Sequence, residues 1–223
     1  MLFPESFTDA MIECARKAAA GDAESQFRMA QMYRHGKGVP MNIHEAITWY
    51  KRAFDGGFPE AAYRLGRLYT QGSVIGKDIK KALHWHSKAA RADHVPAKVA
   101  LGNHLARGAG IEKDLSAAAT WYGKAAKSKN AGAQFVYGLM LRDGRGVAID
   151  RIAAYVWICR AIDNDLPEEN RNIAITVRQA LLKSMPPDDK IRAQASIDAS
   201  GNEPPEHARD GDTRRTPPAA SAA

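Results

Sequence analysis

The chain has 223 residues, 45% hydrophobic and 26% charged, with 32 Lys+Arg against 25 Asp+Glu and a net charge of +7. These are the proportions of a soluble globular protein, and the longest apolar run, the eight residues from Ile152 to Cys159, is far short of the roughly 18 that a membrane helix needs. Two distant cysteines, Cys14 and Cys159, exclude a disulfide framework or a four-ligand metal site, and the first fifteen residues, lacking Lys and Arg, show no secretory leader, so a cytoplasmic location is expected.

In chain order, residues 1–22 open with a helix predicted over 7–20, its apolar face made by Met11, Ala15, Ala18 and Ala19. It stands where the second helix of a preceding repeat would stand and is expected to cap the array. From residue 23 the sequence repeats. The four tryptophans, Trp49, Trp85, Trp121 and Trp157, are each 36 residues apart. The same step joins Gly66, Gly102 and Gly138 (Ala30 in the first copy), and also Gly36, Gly72, Gly108 and Gly144. Two alanine columns, Ala46/Ala82/Ala118/Ala154 and Ala53/Ala89/Ala125/Ala161, keep the same register, as do Asp78, Asp114 and Asp150. A fixed period of this length is the signature of stacked supersecondary units.

Each copy reads as a helical hairpin. In the second copy Ala61, Leu65, Leu68 and Tyr69 form one helical stripe with Gly66 upon it. Gly72 is placed to end that helix, Asp78 to cap the next, and Ala82, Trp85 and Ala89 form the second stripe. Pro59 and Pro96 fall where first helices begin. Strand signals are absent, so the fold class is all-α: four 36-residue hairpins over 23–165 (about 23–57, 58–93, 94–129 and 130–165), stacked into a solenoid because no hairpin buries both faces alone. The tryptophans, with Gly66, Gly102 and Gly138, are assigned to the structural core. Residues 166–199 are read as two capping helices, one with Ile173, Val177, Leu181 and Leu182, the other with Ile191, Ala193 and Ile197 as apolar positions. Residues 200–223 contain no Val, Leu, Ile or aromatic residue and are expected to be a disordered tail. Four acidic side chains against three arginines give that tail −1, so the basicity, +8, belongs to the body.

The runs Ala61-Ala-Tyr-Arg-Leu-Gly-Arg-Leu-Tyr-Thr-Gln-Gly72 and Asp78-Ile-Lys-Lys-Ala-Leu-His-Trp-His-Ser-Lys-Ala-Ala90, with the loop Gly36-Lys-Gly-Val39, resemble the Sel-one-like repeat (SLR), a relative of the tetratricopeptide repeat. Departures are Ala30 for Gly, Asn42 for Asp, and Ser73-Val74 at the end of the second loop. The resemblance implies a right-handed α–α superhelix of bacterial type. It also implies a protein–protein interaction scaffold or adaptor in a signalling, secretion or toxin–immunity setting.

The chemistry-bearing residues offer no catalytic constellation. His44-Glu45 lacks the second histidine of a zinc HExxH motif, Thr48 standing in its place. His84 and His86, two apart on a helix, point to different faces and are read as exposed flanks of Trp85. Gly36-Lys37-Gly38 and Gly144-Arg145-Gly146 recur once per copy, as interhelical turns do, and lack the rest of a phosphate-binding loop. No catalytic residue, cofactor or metal site is assigned, and the paired cysteines of the β-lactamase-like SLR members are missing. Alignment with tetratricopeptide arrays places on a concave face the columns Phe27/Tyr63/Val99/Phe135, Gln31/Arg67/Asn103/Leu139, Arg34/Thr70/Ala106/Arg142 and His35/Gln71/Arg107/Asp143. From these, Phe27, Gln31, Arg34, Tyr63, Arg67, Asn103, Arg107, Phe135 and Arg142 are the candidate partner-binding residues: arginines for carboxylates, aromatics for anchoring area. The expected ligand is an acidic, partly apolar polypeptide. A nucleic-acid-binding solenoid, favoured by the charge but without any reader motif, and a hydrolase by family analogy are the alternatives.

Overall fold

A computed structural model describes residues 9–72, 75–108 and 111–199; the Ser73-Val74 departure and the 200–223 tail lie outside them. The described residues form eleven helices: α1 (Asp9–Ala19), α2 (Ala23–His35), α3 (Ile43–Asp55), α4 (Pro59–Gln71), α5 (Ile79–Arg91), α6 (Val95–Arg107), α7 (Leu115–Lys127), α8 (Ala131–Asp143), α9 (Arg151–Asp163), α10 (Glu168–Ser184) and α11 (Pro187–Ala199). From α1 to α9 each helix packs chiefly on its neighbours in sequence, and α10 and α11 both pack on α9. The fold is an all-α solenoid. Among the described residues no helix is long and apolar enough to cross a membrane.

Local chemistry sets the hairpins. The first helices α2, α4, α6 and α8 end at Gly36, Gly72, Gly108 and Gly144, all left-handed with φ between 65° and 68°, each donating its N–H to a carbonyl four residues back. The second helices begin at Asn42, Asp78, Asp114 and Asp150, whose side chains accept the otherwise orphaned N–H groups of the first turn. Backbone bonds from Asn42 to Tyr33, Asp78 to Tyr69, Asp114 to Leu105 and Asp150 to Leu141 close the loops. The second helices end in a left-handed residue too: Gly57, Asp93, Lys129 and Asp165. Gly21, one period before Gly57, does the same after α1.

Between the helices of a repeat the small residue of the first faces the residue after tryptophan on the second. A Cβ on Gly66 would lie 2.2 Å from the His86 ring, one on Gly138 2.8 Å from Ile158, and one on Gly102 3.1 Å from Tyr122. Tyr50, His86, Tyr122 and Ile158 are accordingly buried. Buried polar side chains tie one repeat to the last: Gln26 donates to the Ala18 carbonyl and Gln134 to that of Ala126, each at 3.1 Å. Lys98, in the same column, pairs with Asp93.

Two expectations require correction. Of the tryptophans, Trp157 is fully buried at 1% exposure and Trp85 is buried, but Trp49 and Trp121 are only partly buried and pack at the edge of the core. Buried and partly buried indoles alike carry a cation one turn on: Arg52, Lys88, Lys124 and Arg160 lie 4.4–5.0 Å from the rings of Trp49, Trp85, Trp121 and Trp157. On the capping helices, Ala174, Leu181 and Ala193 are buried while Ile173, Leu182 and Ile191 are exposed, because both helices lay only a narrow stripe on α9.

These contacts order the expected costs. Gly66→Ala should destabilise by roughly 1–3 kcal/mol through overpacking, whereas Gly132→Ala, whose nearest new neighbour lies at 3.6 Å, should gain about 0.5 kcal/mol. Trp157→Ala should cost roughly 3–5 kcal/mol, and Trp49→Ala less than half of that. Urea unfolding of the four variants checks the ranking.

Candidate functional site

Outward-facing residues of α4 and α6 line a common space across the junction of repeats two and three. A cavity of about 350 Å³ lies there. Tyr63, Arg67, Thr70 and Gln71 of α4 form one wall, and Ala100, Asn103, His104 and Arg107 of α6 the other. Lys77 and Ile79, where the loop enters α5, and His86 complete it. No acidic side chain among the described residues lines the cavity. Among the described residues Arg67, Lys77 and Arg107 enter no ion pair, so three cations face a common space.

Neighbours fix the walls. The Tyr122 hydroxyl donates to Asn103 Oδ1 at 2.6 Å, which leaves the Asn103 amide N–H groups for other acceptors. Thr70 donates to the Gly66 carbonyl at 2.9 Å. Tyr63 lies between two imidazoles, its centroid 5.0 Å from that of His94 and 5.7 Å from that of His86. His94 Nδ1 accepts the Ala97 N–H that caps α6, so its Nε2–H donates to Glu60, 2.7 Å away. Glu60 also accepts from Arg64 at 2.5 Å.

His86 is the unusual member. Read from sequence as an exposed flank of Trp85, it is 2% exposed, because it occupies the ring slot opposite Gly66 that Tyr50 and Tyr122 fill in the neighbouring copies. Neither ring nitrogen finds a hydrogen-bond partner, and its ring stacks on His104 with centroids 5.4 Å apart. Burial above all, then His104, Arg67 and His94, push its pKa down to about 4. Burial also lowers that of His104, with Arg107 and Lys77 contributing.

Of the nine candidate binding residues, the structure gathers Tyr63, Arg67, Asn103 and Arg107 around this cavity. The others lie elsewhere. Phe135 is buried in the core of repeats three and four, and Phe27 is partly buried against Tyr50 and Phe58, so neither ring is free to anchor a ligand in this cavity. Arg34 reaches Gln71 at 3.5 Å and borders a separate recess with His35 and Met41. Gln31 is partly buried and lines neither space. Arg142 is held by both oxygens of Asp143, at 2.6 and 2.9 Å. Sequence reasoning missed Lys77, His86 and His104. The ring column one residue after each tryptophan carried the signal for His86; Lys77 is brought in by the loop.

Nothing in the site resembles nucleophilic catalysis. Burial raises the pKa of both Cys14 and Cys159, away from thiolate reactivity. Among the described residues no three His, Cys, Asp or Glu side chains are grouped to hold a metal ion.

The Sel1 repeat matches four times in succession, over residues 23–58, 59–94, 95–130 and 131–166. The chain belongs to the Sel1 repeat family. Repeats of this family generally mediate contacts between proteins. Among solved structures, a Sel1 repeat protein from Oxalobacter formigenes is similar at 29% identity and a TM-score of 0.67, over 77% of this chain and 48% of that one; this chain thus spans about half the length of that relative. The protective antigen c5321 of uropathogenic Escherichia coli, which displays an SLR fold, aligns at 25% identity and a TM-score of 0.40 over 83% of this chain and 51% of its own. Immunity protein Pa5087 of Pseudomonas aeruginosa aligns at 16% and 0.41 over 91% and 87%. No curated protein matches this Sel1 repeat chain.

The buried histidine gives stability a pH dependence of defined sign. Unfolded histidine titrates near 6.5, and folded His86 near 4, so between these values the unfolded chain holds the extra proton. Stability is fully present above about pH 6.5 and is lost as pH falls toward 4, by at most roughly 3 kcal/mol for this group. His104 adds to the same slope, while carboxylates held low by partners, such as Asp22 and Asp93, act only below the ordinary carboxylate range. Urea titrations at pH 7.5 and 5.0 should show this loss in the parent and little of it in His86→Phe.

Proposed function

We propose that this Sel1 repeat protein is a non-catalytic adaptor that holds an acidic segment of a partner polypeptide in the groove between α4 and α6. The observation that carries the reading is the convergence of Arg67, Lys77 and Arg107 on one cavity that, among the described residues, no acidic side chain lines. Three cations held near one another without counter-charges repel, and the arrangement is relieved when a ligand supplies the anions. Arginine adds directional, two-pronged hydrogen bonding to carboxylates, and Asn103 and Tyr63 supply a polar and an aromatic contact on opposite walls. The rest of the solenoid holds these walls rigid, so little ordering is required on binding. The setting we propose is bacterial, as in the Oxalobacter relative.

Binding of fluorescent peptides rich in Asp, Glu and one aromatic residue tests this. Affinity should fall at least tenfold in Arg67→Glu/Arg107→Glu and weaken as salt rises from 50 to 300 mM. Arg142→Glu, remote and already paired in the parent, should bind like the parent. Equal affinity in the double variant, or equal loss in Arg142→Glu, would remove the groove from the account.

A further inference from the structure

The cavity between repeats two and three contains more than surface cations. His86 is almost wholly enclosed, it lines the cavity, and both its ring nitrogens lack partners in the protein. A buried polar group without a hydrogen bond is costly. At this position Tyr122 avoids the cost by bonding Asn103 and Ile158 has no polar atom, while the Tyr50 hydroxyl, buried without a bond, does not line this cavity. Repeat two alone sets an imidazole there, opposite a glycine that leaves its ring room.

Among the described residues, the charged or titratable groups around that ring are basic or neutral, with one exception already engaged. From α4 come Arg67 and Tyr63; from α6 and its cap, His104, Arg107 and His94; from the loop before α5, Lys77. The nearby carboxylate, Glu60, is spent on His94 and Arg64. In this surrounding His86 stays neutral because burial and positive neighbours both oppose protonation. An oxyanion entering the cavity reverses the second of these effects and supplies the missing hydrogen-bond acceptor.

We propose that the cavity is a proton-coupled oxyanion site: a carboxylate or other oxyanion borne by the partner polypeptide sits among Arg67, Lys77 and Arg107 and accepts a hydrogen bond from His86, which takes up a proton from solvent as the anion binds. The proposal rests on the groove reading above and adds to it the anion's seat and its coupling to pH. It makes the partner's hold tighter in mildly acidic conditions, opposite to the stability of the empty fold.

Sodium sulfate is the probe, since it stays a dianion throughout the range used and any pH dependence then belongs to the protein. Its binding is followed at constant ionic strength by the histidine ring signals in NMR spectra of the full chain. The dissociation constant should fall about tenfold from pH 8.0 to 5.5, with the His86 ring moving to imidazolium positions. His86→Phe, which keeps a ring opposite Gly66, should still bind sulfate through the arginines but with less than a threefold change over the same range. A pH dependence that persists in His86→Phe overturns the proposal, as does sulfate binding that leaves the His86 signals unmoved in the parent. Acidic peptides in place of sulfate separate the two readings. If they bind through Arg67 and Arg107 with no proton uptake, the coupling alone fails; if sulfate binds with proton uptake and peptides do not bind, the free ion is the ligand and the partner-polypeptide reading fails.

Discussion

The close approach of the two helices within each repeat governs the structure. Gly66, Gly102, Gly138 and Ala30 leave room for a side chain from the second helix, and the residue filling that room differs from copy to copy: Tyr50, His86, Tyr122 and Ile158. Packing at this slot admits a ring or a branched aliphatic chain of similar bulk, so the fold tolerates variation there where it tolerates none at Ala46, Ala82, Ala118 and Ala154, all without exposed surface. A position that is sterically fixed but chemically permissive lets one repeat acquire a polar group deep inside without disturbing the stack.

That permissiveness links architecture to function. In repeat three the slot's tyrosine reaches outward and bonds Asn103; in repeat two the shorter imidazole stops below Arg67 and becomes part of a cavity instead. The cations around it occupy first-helix and loop positions that carry no packing duty. The solenoid supplies rigidity through its caps, its αL turns and the buried glutamines that tie successive repeats. The site is the local departure from the repeating pattern, which is the expected place for function on a scaffold whose regular positions serve stability.

Much of this was legible in the sequence, for a physical reason: helix caps and turns are local, so Asp78, Asp114 and Asp150, and Gly72, Gly108 and Gly144, announce their roles through spacing alone. The small-residue column was legible as part of the core, but the residues that fill the space it leaves, His86, Tyr122 and Ile158, follow no residue-type pattern. The indole's periodicity is plain, but its burial differs from copy to copy with the packing around it, which a single stripe does not reveal. Phe135 and Tyr63 occupy one column, yet one is core and the other lines a cavity, because what each ring meets is set by residues outside its own helix. Lys77 enters through a loop, and loop geometry follows no helical period.

The central claim is that a partner polypeptide lies against α4 and α6. A photo-crosslinking amino acid placed at Gln71, exposed at the cavity's edge, and separately at Thr120, exposed on the second helix α7, tests it directly in the native host. The account predicts that one polypeptide is covalently captured from Gln71 and not from Thr120, and that adding Arg67→Glu removes the capture. Equal capture from both positions, or capture from Thr120 alone, would contradict it.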